Sequence, residues 1–448
     1  MAEEKSGLLI GANDKVPVVE AGLLGLQHVL AMDVYVPPLI IAGLLSMSTA
    51  QTLGFLQVAF LACGIGTLLQ TSIFMKMPMS QGPSYVPIGA IVGVFMANGA
   101  ANGGMAAVIG SSAVAAILLI LLGLSGVYQK IVNTLIPSIV GGTIITCVGL
   151  SLLPSALNDN IFKASGNIYQ NIELAAITMI ALLISIAIGT HFPQLQRVFK
   201  IGSIVIALAV GTIVASFMGL MDWSTVAKAD WFTLPQFTAL HYGISFNLSA
   251  IITFIIIFMV LTTETTGTWF AMSAVTKENI TNKQWNRGVI GEGLSCLVSA
   301  LLGSTPMTGY STNAGVVSIT GVASRRVFVA AGTWFVILGF FGKLSALLAA
   351  IPAAVIGGVF AVIVVIIMLS GLNVIGDLNM TGNKGYVIGV PIVMTLALVF
   401  LPEKVVNDAP QMLQYLLGSP ITVAAITAVI LNLLLSTKKS VASVSTIN

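Results

Sequence analysis

Residues 250–270 read AIITFIIIFMVLTTETTGTWF. The run from Ala250 to Val260 carries no charge, and Glu264 follows it among five threonines, Thr262, Thr263, Thr265, Thr266 and Thr268. A carboxylate placed in hydrocarbon costs about 2.5–3.5 kcal/mol on insertion scales, so it faces a cavity, a partner or a substrate. An apolar helix with one wet side, carrying an acid at its centre, is the element around which this chain is organised.

The rest of the sequence fits a membrane setting. Of 448 residues, 57% are hydrophobic and only 7% are charged, against about 25% charged in soluble domains. Apolar stretches long enough to cross a bilayer recur from Val18 to Leu435. Length and punctuation by Gly, Pro and charge predict an all-α polytopic protein of about fourteen spans. Longer polar connections are expected at 154–168, 220–245 and 371–386. Assigned to alternate loops, fourteen of the 18 basic residues fall on one side. The positive-inside rule makes that side the cytoplasm and puts both termini there, in a plasma (bacterial inner) membrane. The formal charge of +3 comes without a basic cluster, which argues against nucleic acid as a partner. Cys63, Cys147 and Cys296 lie inside apolar runs and read as small buried hydrophobes. The polar start of the chain reads without a cleavable signal segment.

Two stretches are poor as ordinary spans: Met79-Ser-Gln-Gly-Pro-Ser-Tyr-Val-Pro-Ile-Gly89 and Ser304-Thr-Pro-Met-Thr-Gly-Tyr-Ser-Thr-Asn-Ala-Gly315. Each centres on a tyrosine, Tyr85 or Tyr310, and runs into a short apolar helix. The tyrosines lie 225 positions apart, about half the chain. Paired broken spans in the two halves point to a transporter's central site. Non-helical backbone at that depth is tolerated only where protein or a polar cavity satisfies it. A half-helix starting there aims free N–H groups and a positive dipole end at whatever binds.

Few ionisable residues fall well inside spans: His28, Asp33, Glu264 and Glu292. Glu292 sits in GVIGEGLSC, where flanking glycines admit a second helix, and it reads equally as an interhelical anchor or a coupling group. His28 reads as an interhelical donor or a site residue. Asp33, on the same predicted helix, points about 140° away from His28, so the two need not share a site. Lys343, near a span end, can snorkel to the interface. No Cys/His/Asp spacing suits a metal, and no cofactor motif or nucleophile–base pair is present, so an enzyme is not expected.

At this point the chain resembles the nucleobase–ascorbate transporter family of nucleobase:cation symporters, from about Ala21 to Leu435. The family signature Q/E/P-N-x-G-x-x-x-x-T-R/K/G has its counterpart in Thr312-Asn313-Ala314-Gly315 through Thr320-Gly321. Its flanks have counterparts in LQH (26–28), QGPSY (81–85), ETTG (264–267), GEG (291–293) and KLSALLAAIPAAVIGG (343–358). The resemblance implies two inverted seven-span repeats, with short strands in broken spans 3 and 10. It implies a core domain from residues 16–127 and 246–349 and a gate domain from 128–245 and 350–436. Tails at 1–15 and 437–448 flank them. It further implies import of a xanthine/urate-type purine or uracil by cation symport, with a proton ahead of sodium, and pairing as a homodimer through the gate. Glu264 would accept from ring N–H groups of the base. Backbone N–H groups near Tyr85 and Ser311 would meet its carbonyl oxygens. Tyr310 and Asn313 would shape the site, and Glu292 and His28 would support coupling and core packing.

Two positions depart from the family pattern. Thr312 stands where relatives carry Gln or Glu against the substrate. Thr268 stands where they often carry a titratable residue. Asp33, in an otherwise apolar helix, is then a candidate replacement carboxylate. The rival readings are anion exchange of the related sulfate-transporter type and a channel. A carboxylate at the centre would repel an anion, and nothing repeats as the ring of a selectivity filter would.

Overall fold

The computed structural model describes residues 8–435 apart from 31, 100, 136, 200–201, 236–240, 311, 377–382, 408, 410–416 and 418–419. In chain order its main elements are α1 (Val18–Leu30), α2 (Val36–Leu44), α3 (Thr49–Leu68), β1 (Gln81–Pro83), α4 (Ile88–Ala97), α5 (Ala101–Ser125), α6 (Ser138–Pro154), α7 (Ile168–His191), α8 (Ser203–Phe217) and α9 (Trp223–Lys228). There follow α10 (Leu248–Thr276), α11 (Asn282–Leu302), β2 (Met307–Gly309), α12 (Thr312–Thr320), α13 (Arg325–Gly339), α14 (Gly342–Ala349), α15 (Ala353–Gly376), α16 (Lys384–Val399) and α17 (Pro420–Leu435).

The stretch around Glu264 is one continuous helix, α10. Asn247 caps its start by accepting from Ser249 N (3.0 Å) and Ala250 N (3.2 Å), which satisfies two of the orphan first-turn donors. Lys277 ends it in the left-handed conformation, at φ 56°.

Among the described residues, six helices are long and apolar enough to cross a bilayer. The pair α13–α14, bent by 76°, makes up to seven. α1, α4, α8, α16 and α17 are apolar but only 10–17 residues long. This is an integral membrane architecture, predominantly helical, with breaks where uniform spans were expected.

Three breaks differ from the expected boundaries. Asp33 is not on the helix of His28: α1 stops at Leu30 and α2 starts at Val36. Pro37 and Pro38 explain it: they have no N–H to donate to the carbonyls four residues back and their rings clash with them, so one helix cannot run through, whereas proline is tolerated in the first turn of a new helix. The connection expected from 154 begins later, because α6 runs on as π-helical turns over Ser155–Phe162. The one expected from 371 begins after Gly376, the end of α15.

The helices pack in pairs: α1 on α13, α3 on α13, α5 on α11, α6 on α15, and α7 on both α8 and α15. Small residues let the backbones close up. A Cβ on Gly64 of α3 would lie 2.7 Å from Gly332 O of α13, and one on Gly371 of α15 would lie 2.4 Å from Thr146 N of α6. Such contacts are the ordinary means of helix association in lipid, where the hydrophobic effect offers none. Lys343, at the start of α14, reaches the connection that precedes α10. Its Nζ donates to Ala227 O (2.9 Å) and Ala229 O (3.0 Å) and lies over the Trp231 ring, fastening the α9 connection to α14.

Candidate functional site

The two tyrosine-centred segments meet. β1 and β2 pair antiparallel, Gln81 opposite Gly309, Gly82 opposite Thr308 and Pro83 opposite Met307. Ser84 N to Pro306 O (3.1 Å) and Tyr310 N to Ser80 O (3.0 Å) extend the ladder by one bond at each end. Gly82 is required there: a Cβ would sit 2.5 Å from Cε2 of the Tyr310 ring.

A two-stranded ribbon in a membrane needs its outer edges satisfied, and hydroxyls from neighbouring helices do this. Beside β1, Thr67 of α3 accepts from Gln81 N (2.9 Å), and Thr71 donates to Met79 O (2.6 Å). Beside β2, Thr265 accepts from Gly309 N (3.2 Å), and Thr268 donates to Gly309 O (2.9 Å). Ser299 of α11 donates to Thr305 O at 2.5 Å. The threonines around Glu264 thus have a backbone role, and Thr268 is buried in it.

Three carboxylates surround the ribbon in different settings. Glu292 is 1% exposed and enclosed by donors. Thr265 Oγ1 donates to its Oε1 (2.7 Å), while Gln81 Nε2 (2.8 Å) and Gln70 Nε2 (3.3 Å) donate to Oε2. Gln70 also donates to Gly288 O (2.8 Å) from a π-helical turn at the end of α3. Glu292 therefore ties α3, β1, α10 and α11 together.

Glu264 is half-buried, and its carboxylate has one side-chain partner among the described residues, Ser84 Oγ, donating to Oε2 at 2.7 Å. On the preceding turns Val260, Leu261 and Ile257 are buried. One turn further on, Gly267 is exposed, with no atom within 4 Å of where a Cβ would stand. The carboxylate is thus closely packed toward the N-terminal end of α10 and keeps partial exposure.

Asp33, in the α1–α2 break, accepts from the Tyr85 hydroxyl. The Tyr85 ring stacks on Phe360 of α15, with centroids 6.1 Å apart. Tyr310 donates its hydroxyl to Pro83 O (3.3 Å). His28 keeps a different partner: its Nδ1 lies 3.1 Å from Asn313 Oδ1, and its ring packs on Phe328 at 4.4 Å. Asn313 also donates to Met32 Sδ (3.4 Å), linking α12 to the α1–α2 break.

The ribbon and its flanking side chains thus draw in Glu264, Tyr85, Tyr310, Asn313, Glu292, His28, Asp33 and Thr268. Ser311 lies outside the described residues. Thr312 begins α12. The backbone amides expected to meet a ligand beside Tyr85 are engaged otherwise: Ser84 N takes Pro306 O, and Val86 N takes Ser84 Oγ at 3.1 Å. The strand pairing runs further than the segment's length suggests. Four contributors were not singled out from sequence: Ser84, Gln70, Gln81 and Phe360. The two glutamines had a readable signal, as amides within or beside apolar spans. Ser84 sits in a Pro/Gly stretch that reads simply as loop.

A helical membrane protein that encloses a polar ribbon, with a half-buried carboxylate beside it, has the build of a small-solute permease. The chain belongs to the permease family described by the Xan_ur_permease model, which matches residues 20–404. Among similar proteins, the nucleobase transporter PlUacP of Paenibacillus larvae subsp. larvae is 29% identical over 419 residues, covering 92% of this chain and 93% of that protein. The uric acid permease PucJ of Bacillus subtilis is 28% identical, covering 92% of each. The xanthine permease XanQ of Escherichia coli (strain K12) is 26% identical, covering 96% of this chain and 94% of its own length. In fold, the chain is similar to the transmembrane domain of the cyanobacterial bicarbonate transporter BicA, with a TM-score of 0.59 at 17% identity over 87% of this chain and 98% of that one. It is also similar to SLC26A9, with a TM-score of 0.61 at 13% identity over 93% of this chain and 65% of that one. At such identities the likeness concerns the fold alone.

Proposed function

We propose that this permease imports a nucleobase, a xanthine/urate-type purine or uracil, by proton symport and alternating access. The observation that carries the reading is Glu264: a half-buried carboxylate beside the ribbon, steadied by Ser84. An oxidised base presents alternating N–H and C=O groups along its edge. Glu264 accepts from the N–H groups, and Tyr85, Tyr310 and Asn313 line the remainder. Glu292, His28, Asp33 and Thr268 form the supporting and coupling network. Names of relatives at near-complete coverage (nucleobase, uric acid and xanthine permeases) support the substrate class. A carboxylate at the same place works against a small inorganic anion, which has no ring N–H groups to donate to it.

The chain is read as about fourteen spans in two inverted seven-span repeats. Residues 16–127 and 246–349 form a core, and 128–245 and 350–436 form a gate and a homodimer contact. The helix pairings support this division, with α1, α3, α5, α11 and α13 on one side and α6, α7, α8 and α15 on the other. Both termini lie in the cytoplasm, with the spans in the plasma membrane, so the C-terminal end of α10 faces inward.

The test is uptake into proteoliposomes of labelled xanthine, urate, hypoxanthine, guanine, adenine and uracil, with and without an inwardly directed proton gradient. The reading predicts concentrative uptake of at least one oxidised base that collapses with a protonophore. Uptake of none, or uptake indifferent to the gradient, overturns it.

A further inference from the structure

We propose that Asp33 is the carboxylate that carries the coupling proton, and that Tyr85 transmits its state to the α15 side of the site through Phe360. This rests on the nucleobase symport reading above and assigns one step of it.

The three buried acids are not equivalent. Glu292 receives three side-chain donors from three separate elements, so a proton cycle there would have to unmake the contacts that hold the ribbon. Glu264 is the least buried of the three and is committed to the substrate in this reading. Asp33 stands apart from both. It lies in a helix break, where its position is not fixed by a helical ladder. The ring hydroxyl of Tyr85 is its side-chain hydrogen-bond donor. The titratable and charged groups facing it are Tyr85, Tyr310 and Tyr35, from the two ribbon segments and the break itself.

A carboxylate surrounded by phenols can change charge without breaking a salt bridge. When ionised, Asp33 accepts the Tyr85 O–H. When it takes a proton from the outer solution, its own O–H becomes the donor, and Tyr85, which can donate or accept, has its preferred orientation reversed. Only O–H bonds form and break, and the proton leaves to the inner solution with the base, before the empty carrier returns. Tyr85 is placed to report this change because its ring stacks on Phe360 of α15, which is packed with α6 and α7 and lies outside the ribbon group. A charge change at Asp33 therefore acts on the contact between the two helix groups that alternating access must break and remake.

The test compares wild type with D33N in proteoliposomes, using labelled xanthine and urate. Two modes are measured: accumulation driven by an imposed proton gradient, and exchange of internal for external base at equal pH. An internal pH dye follows proton entry. The expected result is exchange within about two-fold of wild type, with gradient-driven accumulation reduced at least ten-fold and base entry no longer acidifying the lumen. D33E should restore accumulation. D33N that still accumulates base and moves protons overturns the proposal. So does D33N that is folded by gel filtration yet has lost exchange, because that marks a substrate-holding residue. If D33N does not fold, Y85F decides. Keeping the carboxylate but losing its donor, it should displace the pH profile of accumulation, and an unchanged profile overturns the proposal. Wild type that moves neither of these is tested with hypoxanthine, guanine, adenine and uracil, and failure with all six under any gradient refutes the nucleobase reading, so that the proposal falls with it.

Discussion

The Glu292 network offers the most specific energetic prediction. Glu292→Ala removes the common acceptor of Thr265, Gln81 and Gln70. Thr265 can turn its hydroxyl to Thr308 Oγ1, 2.8 Å away, and Gln70 keeps Gly288 O. Gln81 Nε2 has no such alternative and is left as a buried orphan, at about 1–3 kcal/mol. The vacated volume adds a cavity cost, of the order of 2–5 kcal/mol for a side chain of this size. Relief from burying a charge offsets part of this, so a net loss of about 3–5 kcal/mol is expected.

Glu292→Gln behaves differently. It keeps the shape and still accepts from Thr265, but its new NH2 confronts the NH2 of Gln81. The Oε1 atoms of both Gln70 and Gln81 are buried without a donor. Rotating the Gln81 amide brings its oxygen to the new donor and leaves only one N–H orphaned, at about 1–3 kcal/mol. Apparent melting temperatures in one detergent should therefore rank wild type above E292Q above E292A, with E292A well separated. If E292A melts with wild type, or E292Q falls as far as E292A, the network does not hold the ribbon as described.

Gly82→Ala should be disproportionately harmful, at about 1–3 kcal/mol, because its methyl would enter the Tyr310 ring; thermal stability and base affinity should fall together. Thr268→Val keeps the shape but leaves Gly309 O without this donor, at about 1–3 kcal/mol. It should slow transport without moving the pH profile, since a threonine does not titrate, and a shifted profile would count against its backbone role. In the α8–α9 connection, the Ser224 and Thr225 hydroxyls and the Ser224 amide hold the Asp222 carboxyl down at about 2. A depressed folded value means the cap is complete above the unfolded carboxyl range of about 4 and is lost as pH falls through about 2. Asp222→Ala should accelerate hydrogen exchange at the Ser224 amide at neutral pH, and no change would remove the cap from the account.

Much of the architecture was legible because the membrane constrains it heavily. Apolar length revealed the helices, and the two Pro/Gly/Ser stretches marked where helix gives way to ribbon. Glu264 stood out because a lone acid in a run such as 250–260 has few cheap explanations. What escaped the sequence was mostly relational. The threonines at 265 and 268 read as a wet helix face, and their role as edge partners of β2 needs the partner strand in view. Asp33 was expected to share the helix of His28; Pro37 and Pro38 stood in the sequence, but periodicity alone carried the helix past Leu30. Glu292 was balanced between anchor and coupling group until its donors, 27 to 222 residues away in the chain, could be assigned to separate elements. Nothing local reports a contact made across the fold.

The central claim is that Glu264 holds the base. Equilibrium binding of labelled xanthine, urate and uracil to purified wild type and E264Q tests it most directly, with E292Q as a control for general damage at the core. Replacing a charge-assisted acceptor for ring N–H groups costs about 1.5–3 kcal/mol, so affinity for the wild-type substrate should fall roughly 10- to 150-fold while the melting temperature of E264Q stays near that of wild type. Affinity unchanged within about two-fold would contradict the account, because the base would then be held somewhere other than at the carboxylate beside the ribbon.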